Sequence, residues 1–134
     1  MLQNKNSVDK YFLDNWHTTP ISFDLENFTM PADKKWIGVQ LIPYDRKLIG
    51  FDGQHGRKID YALIRVRCYD TTVTKSYNLA YQVQKMLECK TIPNADGTQL
   101  QVELGVGTGD GSLDMENSVF RTTLDFKVTK YNKD

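Results

Sequence analysis

The sequence predicts an α+β domain in which a mainly antiparallel, mixed sheet of about four to six strands carries an N-terminal helix and a central helix on one face. Two observations predict this class. Apolar residues alternate with a period of two in several segments and recur at helical spacing in two others. These segments follow one another in the order helix, strands, helix, strands. At 134 residues the chain is expected to form a single domain over residues 1–134.

The first helix is predicted close to the amino end. Asn6 or Ser7 is suited to cap it, and Pro20 ends the segment because proline disfavours the helical region for the residue before it. Its shared apolar face comprises Val8, Tyr11, Phe12 and Trp16. A short strand over residues 21–24 and a loop reaching Asp33 are expected to follow.

A second strand is predicted over residues 36–42, with Pro43 as its stop. Residues 47–51 could pair beside it, and the glycine-bearing residues 52–56 are predicted to form a turn. The third strand is the clearest, because residues 60–69 alternate between two faces. One face holds Ala62, Ile64, Val66 and Cys68, and the other holds Tyr61, Leu63, Arg65, Arg67 and Tyr69.

The central helix is predicted directly after this strand. Thr71 and Thr72 are both acceptable N-caps, and residues 89–93 mark its stop. Its apolar stripe comprises Val73, Tyr77, Ala80, Val83, Met86 and Leu87. A turn at residues 94–97, a strand with alternating Leu100, Val102, Leu104 and Val106, a flexible glycine-rich segment at 105–112 and a last strand within 117–131 complete the prediction.

Composition excludes several classes of function. Lysine plus arginine and aspartate plus glutamate number 17 each, so no cationic excess indicates a nucleic-acid or membrane partner. No signal peptide and no membrane-length apolar run is found in the sequence, so we expect a soluble protein made in the cytoplasm. Cys68 and Cys89 have no zinc-binding spacing and are expected to be free thiols, with a disulfide as the minor alternative.

No motif for catalysis, a cofactor or a metal is found. The glycine run 105–111 precedes no helix and lacks the lysine of a phosphate-binding loop, so a hairpin loop is the preferred interpretation. His17 and His55 have no metal-binding neighbours in the sequence. The serines and cysteines have no adjacent base that would make them nucleophiles. We therefore expect a protein that is not an enzyme and that needs no cofactor.

The polar face of the third strand is the most informative surface. Tyr61, Arg65, Arg67 and Tyr69 combine aromatic and arginine side chains, which are enriched at protein interfaces. An equally good interpretation is a solvated sheet face stabilised by cross-strand pairs. A site for single-stranded nucleic acid would also use such residues, but the balanced charge argues against it.

The order of elements and a few anchors resemble the small tail terminator and minor tail proteins of long-tailed bacteriophages. The anchors are Thr19-Pro20, Phe28-Thr29-Met30-Pro31, the strand Trp36 to Pro43, the strand Tyr61 to Tyr69, and Leu79-Ala80 in the helix. The resemblance implies a homo-oligomeric ring, of six subunits in this family, that caps the tail tube and offers a surface to the neck or head. It implies no catalytic residue.

The resemblance also implies partners and a location. The partners would be further copies of the chain, the tail tube protein and a neck or head-completion protein, with DNA passing through the ring and no membrane involved. The protein would be assembled in the host cytoplasm and remain in the virion. A ring needs two complementary patches on each subunit, and the candidates are the exposed face of residues 59–69, the hairpin 44–58 with Arg46, Phe51, His55 and Arg57, and the glycine-rich loop. A head-completion protein and a small-molecule binding module remain as alternatives.

Overall fold

The computed structural model describes residues 2–23, 28–49, 57–114 and 119–132. It confirms the predicted α+β class, with two helices and a six-stranded mixed sheet. The elements are α1 (Leu2–Asn15), β1 (Ile21–Phe23), β2 (Trp36–Ile49), β3 (Arg57–Asp70), α2 (Val73–Leu87), β4 (Thr91–Pro93), β5 (Gln99–Asp114) and β6 (Val119–Tyr131).

The strands lie in the order β1-β2-β3-β6-β5-β4. β1 is parallel to β2, and every other neighbouring pair is antiparallel. The two outermost strands have three residues each, whereas the four inner strands have 13 to 16. Long parts of β2 and β5 therefore have no neighbouring strand on one side within the described chain.

Both helices pack on the same face of the sheet. Their buried side chains meet the inward residues of the strands in one core that includes Val8, Phe12 and Trp16 from α1, Leu79, Ala80, Val83 and Leu87 from α2, and Ile37, Val39, Ile64, Val66, Leu124 and Phe126 from the sheet. The opposite face carries no helix from the described part of the chain, and we call it the open face. No helix in the described ranges has the length and apolar character needed to span a bilayer.

Both helices were expected, but α1 begins earlier than predicted. It starts at Leu2, so Asn6 and Ser7 lie inside it, and the ion pairs Lys5–Asp9 and Lys10–Asp14 connect successive turns at 2.7 and 2.9 Å. α2 has the predicted boundary, because the Thr72 hydroxyl accepts the Lys75 N–H at 3.1 Å as an N-cap.

Pro43 does not end β2, contrary to the prediction. The strand continues to Ile49, and its register against β3 shifts between Pro43 and Asp45. β1 pairs only as far as Val39, so Pro43 lies where β2 is an edge strand and a missing N–H removes no ladder bond. The predicted turn 52–56 lies outside the described residues.

The glycine-rich segment is also not a flexible loop, because β5 runs through it to Asp114. Gly105 and Gly107 pair with Phe126 and Leu124 of β6. A Cβ atom on Gly105 would lie 2.5 Å from Cε1 of Phe126, so the phenyl ring occupies the space that a side chain would need. The glycines permit close packing here, and the sequence alone could not distinguish this from chain flexibility.

Candidate assembly surface

The open face holds the four residues singled out on β3. Tyr61, Arg65, Arg67 and Tyr69 alternate with the buried Ile64, Val66 and Cys68. All four are half-buried, since neighbouring side chains from β2 and β6 lie against them. The predicted juxtaposition on one face is therefore present, and the question is what each side chain contacts.

Arg65 forms a bidentate ion pair with Asp125 across the sheet. Its Nε and Nη2 atoms donate to Oδ1 and Oδ2 of Asp125 on β6, at 2.8 and 3.2 Å. The two residues are register partners, which brings the fork of the guanidinium opposite the carboxylate. The hydrogen bond to Asp125 is the main reason that the pKa of Arg65 lies above its ordinary value.

Arg67 and Tyr69 contact β2 instead. Arg67 Nη1 donates to Gln40 Oε1 at 3.2 Å. The Tyr69 ring stacks on Trp36 with centroids 4.2 Å apart and planes 9° apart, and Phe28 lies beyond Trp36 at 5.9 Å. These contacts are the cross-strand pairs that were one of the two interpretations of this face.

Tyr61 lies at the centre of a cationic and aromatic cluster. The Nζ atoms of Lys47 and Lys127 lie 5.5 and 5.3 Å from its ring centroid, and the Tyr44 ring is 6.2 Å away. Within the described ranges neither lysine has a carboxylate at salt-bridge distance. Each ammonium interacts with the electron-rich ring face, and both keep their charge exposed to solvent.

Arg46 of the hairpin is not part of the cluster around Tyr61, although Tyr44 and Lys47 of the same hairpin are. Arg46 pairs with Asp60 at 3.0 Å, and this pair points away from Tyr61 because residues 60 and 61 alternate across the strand. Asn132 Nδ2 also donates to Asp60, at 2.9 Å. Phe51 and His55 lie outside the described residues, as does the side chain of Arg57.

The exposed apolar side chains of the open face were not anticipated. Tyr44, Leu104, Val106 and Tyr131 are 50, 66, 67 and 48% exposed. Leu104 and Val106 were predicted to continue the alternation of Leu100 and Val102, but the register shifts between Val102 and Gly105. This bulge leaves Val102 in the core and exposes the next two apolar residues. In the sequence, only the neighbouring Gly105 could have indicated this bulge.

Titratable and nucleophilic groups do not form a reactive cluster in the described part of the chain. No group of three or more histidine, cysteine or acidic residues there is arranged to hold a metal. Both cysteines are free thiols. Burial raises the pKa of the Cys68 thiol from 9.0 to about 12, which keeps it protonated and unreactive.

One groove of about 840 Å³ lies between α1 and the segment formed by β4 and the two residues that follow it. Asn6, Tyr11, Ile92 and Pro93 contribute to its walls. The Tyr11 hydroxyl donates to the Met86 carbonyl at 2.7 Å, and Lys10 is paired with Asp14. These two side chains therefore already have partners within the chain, whereas the buried Oδ1 atom of Asn94 in the groove wall accepts no hydrogen bond from the described residues. The groove thus keeps one polar atom that could help to orient a small molecule.

The fold and surface define an α+β protein with helices on one side of its sheet and an aromatic, arginine-bearing open face on the other. No family model and no curated protein sequence matches the chain. One solved structure, whose name describes no activity or partner, superposes with a TM-score of 0.62 over 95% of this chain and 94% of its own, at 11% sequence identity. The likeness concerns the fold alone.

Proposed function

We propose that this protein is a structural component of a long-tailed bacteriophage tail, a tail terminator that forms a ring on the end of the tail tube. In this role it stops tube polymerisation and offers a surface to the neck or head. The resemblance in element order and anchors suggests the role, and six subunits is the expected number.

The open face is the observation that carries the proposal. It exposes Tyr44, Leu104, Val106 and Tyr131 beside half-buried tyrosines and arginines. Leu104 and Val106 lie two positions apart on β5, and adjoining exposed apolar side chains indicate a surface that another protein covers. Aromatic residues and arginine supply most of the binding energy in such contacts. An assembly protein makes use of this surface, whereas an enzyme of this fold would need a reactive cluster.

Tube assembly in the presence of the protein tests the proposal. The tail tube protein encoded in the same genome would be polymerised with and without this chain, and tube lengths would be measured by electron microscopy. We expect shorter tubes with extra density at one end. Tubes of unchanged length with bare ends would contradict the assignment, and binding to a portal or connector instead would favour the head-completion alternative.

Arg67→Glu gives a variant for the same assay. Arg67 contacts the neutral Gln40 and no carboxylate among the described residues. Reversing its charge should therefore change the free energy of unfolding, measured in urea, by no more than about 1 kcal/mol. If the open face contacts the tube or a neighbouring subunit, capping should be lost. Lys85→Glu, which makes the same charge change on the exposed side of α2, is the matched control. Unaltered capping by Arg67→Glu would remove this part of the face from the interface.

A further inference from the structure

The groove between α1 and β4 is lined by residues that the proposed function does not use. Its apolar lining comprises Tyr11 on one side and Ile92, Pro93 and Ala95 on the other. The exposed apolar residues of the open face do not contribute to it. Its volume of about 840 Å³ lies within the range of sites that enclose a small molecule, and such sites combine apolar walls with a few polar groups.

The charges in the groove walls compensate each other. Lys10 and Asp14 are the two charged residues among the described lining, and Nζ of the lysine lies 2.9 Å from Oδ2 of the aspartate. Both side chains are exposed, so the pair lies at the solvent side of the groove. An ion entering the groove would have to compete with this pair, whereas a neutral molecule would not.

Asn94 supplies the buried polar group of the wall, and it is only 6% exposed. Its backbone is paired, because the N–H donates to the Thr98 carbonyl at 2.9 Å and the carbonyl accepts the Gly97 N–H at 3.1 Å. The side-chain Nδ2 atom donates to Thr98 Oγ1 and to Asn4 Oδ1, each at 3.1 Å. The side-chain Oδ1 atom is buried and has no hydrogen-bond donor among the described residues.

The orientation of the Asn94 amide follows from the protons of its neighbours. The Thr98 hydroxyl donates to Asp96 Oδ1 at 2.5 Å, and the hydrogen bonds from Thr98 lower the pKa of Asp96, so this carboxylate has no proton to give. A hydroxyl has one proton, so Thr98 Oγ1 can only accept from Asn94. The nitrogen of the amide must therefore face Thr98. Both amide protons are used, and what the side chain still lacks is a donor to Oδ1.

We infer that this groove binds a neutral, amphipathic small molecule whose apolar body lies against Tyr11 and Pro93 and whose N–H or O–H group donates to Asn94 Oδ1. An acceptor that is buried without a donor destabilises the protein, so a ligand that supplies the donor removes this cost on binding. Because the atom is buried, neighbouring side chains must shift slightly to admit the donor. The inference does not rest on the proposed function.

Benzamide and N,N-dimethylbenzamide test the inference as a matched pair. They share the ring and the carbonyl group, but only benzamide has N–H donors. Each would be titrated into the full chain, labelled with the nitrogen isotope that NMR detects, and two-dimensional spectra would locate the contacts. Benzamide should bind with a Kd in the millimolar range, as expected for so small a ligand, and should shift the Asn94 side-chain amide and the backbone signals of Tyr11 and Ala95. The dimethyl compound should bind at least about fivefold more weakly, because it leaves Oδ1 without a donor.

Ala95→Phe, which places a ring in the groove, should abolish benzamide binding. Ala32→Phe is the matched control, because both alanines are exposed and occupy the second position of a turn, residues 94–97 and 31–34, but Ala32 does not line the groove. Circular dichroism would verify that both variants are folded. No saturable shift up to about 20 mM benzamide would overturn the inference, since a specific ligand of this size binds in the millimolar range. Equal affinity for the two amides, shifts confined to other surfaces, or equal loss of binding in both variants would overturn it as well.

Discussion

Gly105→Ala should destabilise the protein, whereas Gly107→Ala should be nearly neutral. The added Cβ at position 105 would lie 2.5, 2.9 and 3.0 Å from three carbons of the Phe126 ring, and this ring is fully buried. At position 107 the closest atom is a terminal methyl group of Leu124 at 3.2 Å, which needs to move only by a few tenths of an ångström. Both glycines lack a positive φ, so backbone strain does not distinguish them.

The loss of stability expected for Gly105→Ala is the difference between two opposing effects. Overpacking a filled core costs about 1–3 kcal/mol. Replacing glycine by alanine restricts the unfolded chain and returns about 0.4–1 kcal/mol. The net loss in the free energy of unfolding at position 105 should therefore be about 1–2 kcal/mol. With an m-value of about 2 kcal/mol/M in urea, the unfolding midpoint should fall by roughly 0.5–1 M.

Urea unfolding followed by circular dichroism measures this loss, and a double-mutant cycle assigns its cause. Phe126→Leu removes the ring atoms that the new methyl group meets, so Gly105→Ala should cost less in the Phe126→Leu background than in wild type. The reasoning would be refuted if Gly105→Ala were as stable as wild type, or if it cost the same in both backgrounds.

Four further predictions concern the core, the thiols and the open face. Val66→Asp places a carboxylate at a fully buried strand position and should lower the free energy of unfolding by about 4 kcal/mol or more. The cooperative unfolding transition in urea should then be lost. A normal transition would contradict the assignment of Val66 to the buried face of the strand. A thiol reagent at pH 8 should label one cysteine, Cys89, in the folded protein and both in urea. Since the pKa of Cys68 is raised from 9.0 to about 12 on folding, its contribution to stability is complete below pH 9 and is lost as the pH rises towards 12, so Cys68→Ala should be less sensitive to alkali than wild type. The Arg65–Asp125 pair should show a coupling energy of about 0.2–1 kcal/mol in a double-mutant cycle with Arg65→Met and Asp125→Asn, diminishing with salt.

The sequence predicted the structure best where the spacing of apolar residues follows directly from which side chains are buried. The alternation of residues 61–69 predicted a strand whose buried face the structure confirms, because burial on one side imposes a period on the sequence. The apolar stripe of α2 predicted the helix and the burial of Ala80, Val83 and Leu87. It was wrong for Tyr77, which is exposed, and it left out Leu79, which is buried. The same alternation brought Tyr61, Arg65, Arg67 and Tyr69 to one face. Their partners depend on the register between β2, β3 and β6, which no local pattern encodes.

The errors concern residues whose structural role depends on a neighbouring strand. Gly105 carries no side chain that could show alternation, and its place in β5 becomes intelligible only through the Phe126 ring beside it. Pro43 usually stops a strand, but it is tolerated where β2 has no second neighbour. The exposure of Leu104 follows from a bulge rather than from its own hydrophobicity.

The stacked pair of Trp36 and Tyr69 gives the open face an intrinsic optical reporter. The only other tryptophan, Trp16, is buried in the core and donates from Nε1 to Thr19 Oγ1 at 3.0 Å. In a Trp16→Phe background, the indole emission would come from Trp36 alone. Covering the half-buried indole would shift its emission to shorter wavelength, so association at this face becomes visible in an unlabelled protein while helix-side contacts remain silent.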